Sequence, residues 1–332
     1  MPVVGLPNAL SQAIAAEGER LPAQDLVQAA QRLSSAYRRE TAGLPVRLNE
    51  AERVAYVAMR LPATYAAVCA ALDEMARVVD VTEFDSCLDA GSGPGTASLA
   101  ARERLASLSI FKQIERDGGW SSIAARLSGA MGFQASRGNG DIVSVIEQSR
   151  TYDLVLAAYV LNELPRANLD GAIRALWSAT ASALVVVEPG TPHGFEVVGR
   201  VRTLCLESGG FAAAPCTHNA ACPMTPSDWC HRAVRVERSP LHRKLKDAAL
   251  GFEDEKFSYV VITRRAPTRL APSRIVRRPI RAGGHVHLDL CSENGLTRST
   301  ITRADRSPYK AARDADWGDL WPPTKADDGA LG

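Results

Sequence analysis

The sequence predicts an α/β protein built on a Rossmann-like, mostly parallel sheet, with an N-terminal helical layer and a cysteine-rich insertion. Three observations lead to this prediction. Residues 1–80 carry apolar residues at helical spacing, residues 81–200 alternate short apolar strands with amphipathic helices, and the alternation lapses over 201–255, where cysteines cluster. Strands that alternate with helices favour a parallel sheet covered on both faces.

The N-terminal region predicts two helices. Ala-rich segments with apolar residues at helical spacing run over 21–39 and 49–79. Pro62 falls inside the second segment and is expected to kink or break it, because proline lacks an N–H and clashes with the preceding turn. We expect this layer to pack on the rest of the protein.

The middle of the chain predicts the sheet. Ser86–Ala90 is a short apolar strand that ends in a glycine-rich loop and is followed by a helix. Further strands are expected at 108–114, at the start of YDLVLAAYVLNEL and in ALVVVEPG, with helices between them.

The last third of the chain predicts a return to the sheet. KFSYVVITRR has the pattern of a returning strand, and 274–290 with 296–303 predict a closing basic hairpin. The expected regions are a helical one over 1–80, a core over 81–200, the cysteine-rich insertion over 201–255, returning strands over 256–310 and a tail over 311–332.

Composition bounds the class of protein. The 332 residues are 23% charged and 46% apolar, which excludes a disordered chain, a collagen-like fibre and a small disulfide scaffold. No apolar run approaches the roughly 20 residues of a membrane span, so we expect no membrane partner. The start MPVVGLPNALSQAIAAEGER has no export signal or Arg-rich presequence, so we expect a cytoplasmic, bacterial protein.

Charge is distributed unevenly. Residues 231–281 contain 14 Lys and Arg against 5 Asp and Glu, although the net charge of the chain is only +2. A basic block in a near-neutral protein indicates a face that meets phosphate; a solvated surface is the alternative.

The glycine loop is the first candidate binding motif. Asp89, Gly91, Gly93 and Gly95 lie between a predicted strand and helix, where glycines let the backbone approach a ligand. The pattern LDAGSGPG resembles motif I of class I S-adenosylmethionine-dependent methyltransferases. That resemblance implies an S-adenosylmethionine site, with Glu115 placed for the ribose hydroxyls and Asp141 for the adenine amino group; a ligand-free turn and surface carboxylates are the alternatives.

Candidates for catalysis follow the next two strands. Asn162 and Glu163 in YVLNELP and Glu188 in VEPG stand where ligands bind in open α/β sheets. Methyl transfer needs mainly an aligned nucleophile and a bound sulfonium, so these residues are candidates only.

Four cysteines form the second candidate site. Cys216, Cys222, Cys230 and Cys291 lie in polar surroundings and would supply four thiolates, which favour zinc or an iron–sulfur cluster. The neighbouring His218 and His231 keep zinc with mixed ligands open, and free thiols in a loop are the remaining alternative.

The chain as a whole resembles the ribosomal small-subunit methyltransferase-like family, whose mitochondrial members assemble the mitochondrial ribosome and whose relatives occur in bacteria. The segments that carry this resemblance are AYVAMRLPATYAA, LDAGSGPGTA, YDLVLAAYVLNELP, VEPGTPHGF, PCTHNAACPM with DWCHR, KFSYVVITR, GHVHLDLC and YKAARDADWGDLWP. It implies a class I methyltransferase fold with a metal-cluster insertion, a [4Fe–4S] cluster on the four cysteines and contact with small-subunit rRNA.

The function predicted is that of an S-adenosylmethionine-binding, iron–sulfur-containing protein, a monomer, that methylates or assembles the small ribosomal subunit. A non-catalytic rRNA-binding assembly factor and a zinc-containing small-molecule methyltransferase are the alternatives. The basic block would then face phosphate, whose neutralisation dominates RNA affinity. The arginines expected there are Arg264, Arg265, Arg269, Arg274, Arg277, Arg278 and Arg281.

Overall fold

The computed structural model describes residues 3–38, 48–146, 150–224, 227–269 and 271–323. Its helices are α1 (Asn8–Glu19), α2 (Ala23–Arg38), α3 (Glu50–Met59), α4 (Leu61–Val78), α5 (Thr96–Arg104), α6 (Ser121–Ala130), α7 (Ile142–Ile146), α8 (Arg166–Ser178), α9 (Pro192–Glu207), α10 (Pro240–Lys246) and α11 (Ser307–Asp314). Its strands are β1 (Val3–Val4), β2 (Ser86–Ala90), β3 (Ile110–Glu115), β4 (Ala135–Asn139), β5 (Tyr152–Ala158), β6 (Thr180–Pro189), β7 (Phe211–Ala214), β8 (Arg232–Glu237), β9 (Phe252–Thr263), β10 (Ser273–Ile275), β11 (Ile280–Ala282), β12 (His285–Ser292), β13 (Gly295–Thr302) and β14 (Leu320–Trp321).

The main sheet has the order β1-β8-β9-β6-β5-β2-β3-β4, with β7 also paired to β9. Strands β4, β3, β2, β5 and β6 are mutually parallel, and β9 runs antiparallel to β6. The chain passes from β2 through β3 to β4 at one edge of the sheet. It then crosses back to β5, which pairs with β2 on the side opposite to β3. This is the mixed α/β sheet expected of a class I methyltransferase, and the reversal between β2 and β5 creates a crevice at their carboxyl ends.

Both faces of the sheet are buried. In β5, Leu154 and Leu156 pack into the core under the N-terminal helices, whereas Val155 and Ala157 pack into the core under α8 and α9. Alternate residues of a strand point to opposite faces, so a strand covered on both sides has to be apolar throughout. This explains the continuous apolar character of the YDLVLAA segment.

The N-terminal layer is built around α4, which is buried along most of its length and lies against β8, β9 and α5. An Asn49 capping box starts α3: Asn49 Oδ1 accepts from Glu52 N, and Glu52 Oε2 accepts from Asn49 N, both at 2.9 Å. The predicted break at Pro62 is confirmed, since α3 and α4 meet at 47°. In the described ranges no single helix is long and apolar enough to cross a membrane, and only this bent pair meets that test jointly.

A smaller antiparallel sheet joins β11, β12, β10 and β14, with β13 paired to β12 along its length. The hairpin of β12 and β13 starts at His285, so the prediction that it starts at Arg274 is wrong. Arg274 belongs to the separate strand β10, opposite Cys291. Val286, Leu288 and Leu290 face inward beneath α11, which leaves His285, His287 and Cys291 on the other face.

The region 201–255 is more regular than its sequence indicates. It holds the end of α9, both β7 and β8, and α10. Strands β7 and β8 are completed by pairing with β9, which follows them in the chain. The ends of two predicted segments, residue 39 and residues 324–332, lie outside the described residues.

Candidate cofactor site and cysteine cavity

The glycine loop lies at the carboxyl end of β2, where the strand order reverses. Gly91, Gly93 and Gly95 have positive φ angles of 69°, 51° and 84°. A Cβ on Gly91 would lie 2.3 Å from Val160 Cγ2 and one on Gly95 2.5 Å from Gln113 Nε2, whereas one on Gly93 meets nothing within 4 Å. The loop is packed at both ends and open at Gly93, where a ligand could approach the backbone.

Asp89, the acid at the end of β2, faces into the protein. Its Oδ2 accepts hydrogen bonds from Ser98 N at 2.9 Å and Ser98 Oγ at 2.7 Å. Burial raises the pKa of Asp89 to about 6. The two hydrogen bonds to Ser98 connect the end of β2 to the first turn of α5 and so stabilise the loop between them.

Glu115 ends β3 beside the loop. Its Oε2 accepts from Gly93 N and its Oε1 from Asp117 N, both at 2.8 Å. Asp117 in turn accepts from Gly119 N at 3.0 Å and pairs with Arg53 Nη2 at 2.7 Å. The carboxylate of Glu115 is thus held at the open point of the glycine loop.

Asp141 follows the adjacent strand β4. It is exposed, its Oδ1 accepts from Val143 N at 2.9 Å, and it lines a cavity of about 400 Å³ with Leu164 and Asn168. The structure therefore places Asp141, Glu115 and the glycine loop at one edge of the sheet, beyond three neighbouring strands.

The candidate catalytic residues differ in their environments. Glu188 is completely buried at the end of β6, and its Oε1 accepts from Leu161 N at 2.9 Å. Glu188 Oε2 and Asn162 Oδ1 have no hydrogen-bond partner within the described part of the chain. Burial raises the pKa of Glu188 to about 8, so it holds a proton at neutral pH. Glu163 is exposed.

Tyr159 is a residue of this edge that sequence reasoning missed. It has a φ of 56°, which is uncommon outside glycine, and its Oη donates to Glu255 Oε1 at 2.8 Å. Arg60, between α3 and α4, approaches the same oxygen at 3.5 Å. The network joins the N-terminal layer to the ends of β5 and β9; only the position of Tyr159 at a strand end could have drawn attention to it.

The four cysteines line a single cavity of about 340 Å³. Cys216 follows β7, Cys222 and Cys230 lie in the segment before β8, and Cys291 belongs to β12. The fold therefore brings together thiols from two separated parts of the chain, the segment between β7 and β8 and the strand β12. Among the described residues, however, no three His, Cys, Asp or Glu side chains are grouped so that they could hold a metal ion.

The chemistry of this donor set suits a soft metal. Burial raises the pKa of Cys230 and of Cys291 to about 12, so both are thiols at neutral pH and would release protons on binding a metal. His218 also lines the cavity, with its Nε2 3.6 Å from Cys291 Sγ. His231 instead packs between Trp229 and Trp317, at centroid distances of 5.4 and 5.1 Å.

Two predicted RNA-contacting arginines are structural, which corrects the expectation. Arg274 is 2% exposed and pairs with Glu74 at 2.5 Å. Arg264 donates to the carbonyl oxygens of Thr180 and Trp177 at 2.9 and 2.5 Å and lies 3.8 Å above the Trp177 ring. Their guanidinium groups are already engaged inside the protein, which removes them from a phosphate-binding face.

The other five arginines predicted to contact RNA divide into two groups. Arg277 pairs with Asp228, and Arg281 donates to the carbonyl oxygens of Arg313 and Ala315 at the end of α11. Arg265, Arg269 and Arg278 are exposed, and their side chains make no hydrogen bond or ion pair with the described residues.

Comparison with known protein families shows to which family this chain is related. The sequence profile described as "Mitochondrial small ribosomal subunit Rsm22" matches residues 50–322. The chain belongs to the Rsm22 family. The match covers the glycine loop, the strands β2–β13 and all four cysteines of the cavity.

Curated relatives of this Rsm22-family chain are ribosome assembly proteins. It is 28% identical over 296 residues to human "Ribosome assembly protein METTL17, mitochondrial", an alignment that covers 82% of this chain and 63% of that protein. It is 21% identical over 287 residues to "Ribosome assembly protein RSM22, mitochondrial" of Saccharomyces cerevisiae, covering 54% and 45%. The chain thus spans about half to two thirds of the length of these relatives.

These relatives contradict one prediction. The curated proteins similar to this chain are named as mitochondrial, including the "Rsm22-cox11 tandem protein 2" of Schizosaccharomyces pombe, which is 24% identical over 83% of this chain and 44% of its own length. The predicted bacterial, cytoplasmic setting is therefore wrong. It depended on the N-terminal residues alone, which lie outside the matched range of the family.

Solved structures with a similar arrangement include methyltransferases. Magnesium protoporphyrin IX methyltransferase from Synechocystis, with bound S-adenosylmethionine, has a TM-score of 0.38 and 14% identity over 69% of this chain and 89% of its own. Precorrin-6y C5,15-methyltransferase from Geobacter metallireducens has a TM-score of 0.39 and 11% identity over 58% and 85%.

Proposed function

We propose that this chain binds S-adenosylmethionine at the glycine loop and contacts small-subunit rRNA during ribosome assembly. The observation that carries the proposal is the loop itself, which is open only at Gly93 and lies at the switch point of the sheet. The assembly role is supported by membership of the Rsm22 family and by the names of its relatives.

The residues around the loop suit this cofactor. Gly93 offers a surface without a side chain, Glu115 can accept from ribose hydroxyls, and Asp141 can accept from an adenine amino group. When bound, S-adenosylmethionine would supply an electrophilic methyl group. Glu188, which is protonated at neutral pH, would hold a proton behind the reacting region.

Calorimetric titration with S-adenosylmethionine tests the cofactor site. Gly93→Arg should abolish binding, because its side chain would occupy the open space of the loop. Gly132→Arg is a matched control, since Gly132 also has positive φ, at 72°, with nothing within 4 Å, but lies after α6. Equal affinity of the Gly93 variant and the control would refute the site.

We also propose that Cys216, Cys222, Cys230 and Cys291 hold a [4Fe–4S] cluster. Support comes from the shared cavity, from the preference of soft thiolates for such clusters and from the resemblance of the cysteine segments to the family. The cluster would fix the segment between β7 and β8, which has no helix or strand among its described residues, because metal binding contributes to folding free energy.

Anaerobic purification followed by iron, zinc and acid-labile sulfide analysis tests the cluster. Wild type should contain iron and sulfide, and Cys222→Ser should lose both. Cys205→Ala is the control, because Cys205 is a completely buried thiol that packs in the core outside the cavity. A wild type that contains zinc and no sulfide would overturn the cluster assignment.

For RNA contact we propose the exposed arginines Arg265, Arg269 and Arg278. Replacing all three with Glu should weaken binding to small-subunit rRNA and reduce its salt dependence, because fewer phosphates are neutralised. The control for overall charge is the triple variant Arg20→Glu, Arg166→Glu and Arg174→Glu, which makes the same change in net charge at exposed positions outside the basic block. If the first triple variant binds as tightly as this control, the basic block is only a solvated surface.

Methyl transfer and binding without turnover are separated by one assay. Labelled S-adenosylmethionine is incubated with immature small-subunit rRNA and protein, and label in the RNA is counted. RNA labelling that is present with wild type and lost with Gly93→Arg supports an enzyme. Tight RNA binding without labelling supports an assembly factor.

A further inference from the structure

The wall of the cysteine cavity contains buried nitrogen atoms without partners. Arg202, His218 and Arg274 line the cavity together with the four cysteines, and each is more than nine-tenths buried. The atoms without a hydrogen-bond partner in the described ranges are Arg202 Nε, His218 Nδ1, Arg274 Nε and Arg274 Nη2. Buried donors of this kind are costly unless an acceptor meets them.

Arg202 is held rigidly in this position. It extends from α9, and its Nη2 donates to the carbonyl oxygens of His218 and Ala220 at 2.8 and 2.7 Å. These bonds use one end of the guanidinium and anchor the loop that carries Cys216 and Cys222. No carboxylate pairs with Arg202 among the described residues, so its charge is left without a counter-ion.

Arg274 lines the cavity from β10. It is the cross-strand partner of Cys291. Its Nη1 contacts Glu74 Oε2 and the Gly318 carbonyl oxygen, both at 2.5 Å, and its Nε and Nη2 have no hydrogen-bond partner in the part of the chain that the structure describes. Glu74 also pairs with Arg232 at 2.9 Å and with Arg77 at 3.7 Å, so the charge of this one carboxylate is shared among several arginines.

Arg202 is therefore a buried cation beside the four thiols that has no paired carboxylate within the described residues, since Glu207, which lines the same cavity, is exposed and makes no ion pair with it. A buried cation without a counter-ion is strongly destabilising, whereas four metal-bound thiolates would bring negative charge and sulfur acceptors to the same place. The unpaired charge of Arg202 and the unpaired donors of the wall would meet the negative charge that such a group brings.

We propose that Arg202 and Arg274 compensate the negative charge of the group held by the four cysteines and raise its reduction potential. This inference rests on the proposed [4Fe–4S] cluster. Net charge and hydrogen bonds to the sulfurs set the potential of an iron–sulfur cluster. A nearby cation makes addition of an electron easier, so the two arginines act as positioning and tuning residues.

The test is a redox titration of the anaerobically purified full chain, followed by visible absorbance. Arg202→Gln should shift the midpoint potential to a lower value, and Arg202→Lys, which keeps the charge, should lie closer to wild type. Glu74→Gln should shift it to a higher value, because it removes the carboxylate that neutralises Arg274. Arg264→Gln, which changes an arginine outside the cavity, should leave it unchanged.

A lower midpoint potential in Arg202→Gln together with a higher one in Glu74→Gln supports the inference. If the substitutions only loosened the structure, both would shift the potential in the same direction. Unchanged potentials at full iron content overturn it and leave the cluster intact. Loss of iron from both Arg202→Gln and Arg202→Lys makes Arg202 merely structural and also overturns it. Absence of iron and sulfide from wild type refutes the cluster itself.

Discussion

Replacing Glu188 with glutamine should change how stability depends on pH. Glu188 is completely buried at the end of β6, and burial raises its pKa from 4.5 to about 8. Between these values the folded protein keeps a proton that the unfolded chain releases. Stability contributed by this group is therefore complete below pH 4.5 and is lost as pH rises through 8.

The size of the effect follows from the width of that interval. At about 1.4 kcal/mol per pH unit, the interval from 4.5 to 8 corresponds to about 5 kcal/mol. A glutamine side chain at this position would keep the acceptor for Leu161 N but would not titrate. Its amide would leave a buried donor unpaired, which costs about 1–3 kcal/mol at every pH.

Urea unfolding followed by circular dichroism at pH 5, 7 and 8 measures this difference. The free energy of unfolding of wild type should fall relative to that of Glu188→Gln as pH rises, by several kcal/mol over the range. Glu196→Gln, at an exposed position on α9, is the control and should run parallel to wild type. Parallel pH profiles for wild type and Glu188→Gln would refute the assignment of a proton to this carboxyl group.

Three further substitutions test the core and the loop. Burial opposes ionisation of Glu74, but Arg274 and Arg232 outweigh it and lower its pKa from 4.5 to about 2. Glu74→Gln should therefore cost about 3 kcal/mol in urea unfolding at pH 7, and the cost should shrink as pH falls from 4.5 toward 2; a constant cost would contradict this. Gly91→Ala should lower the free energy of unfolding by about 2–4 kcal/mol, against about 1 kcal/mol for Gly132→Ala, because only the first Cβ clashes; equal losses would remove the clash argument. Ser98→Ala should cost about 1–3 kcal/mol, because it removes the hydrogen bond from Ser98 Oγ to Asp89 and leaves only the one from Ser98 N; thermal unfolding measures this, and an unchanged midpoint would show that the hydroxyl bond adds nothing.

The local sequence pattern predicted those structural features that are decided by residues close together in the chain. The alternation of apolar strands and helices identified the parallel sheet, and Pro62 identified the bend between α3 and α4. The glycine loop was recognisable because its three positive φ angles require residues without a side chain. Each of these features is decided within a few residues of sequence.

Pairing between distant segments was harder to predict. Strands β7 and β8 escaped detection because their stability comes from β9, which supplies their partners. Arg274 was expected on the surface because it lies in a basic run, yet its counter-charge, Glu74, belongs to α4. A one-dimensional charge pattern cannot distinguish a buried ion pair from a solvated arginine.

By itself, then, the sequence determined the α/β class, the glycine loop and the family resemblance, since these depend on local periodicity and on short motifs. Only the tertiary structure decided which side chains share an environment. It placed Tyr159 against Glu255, left Glu188 buried with an unpaired oxygen, and set Arg202 and Arg274 around the cysteines. The physical reason is that burial and charge pairing depend on distance in space, which residues far apart in the chain acquire only on folding.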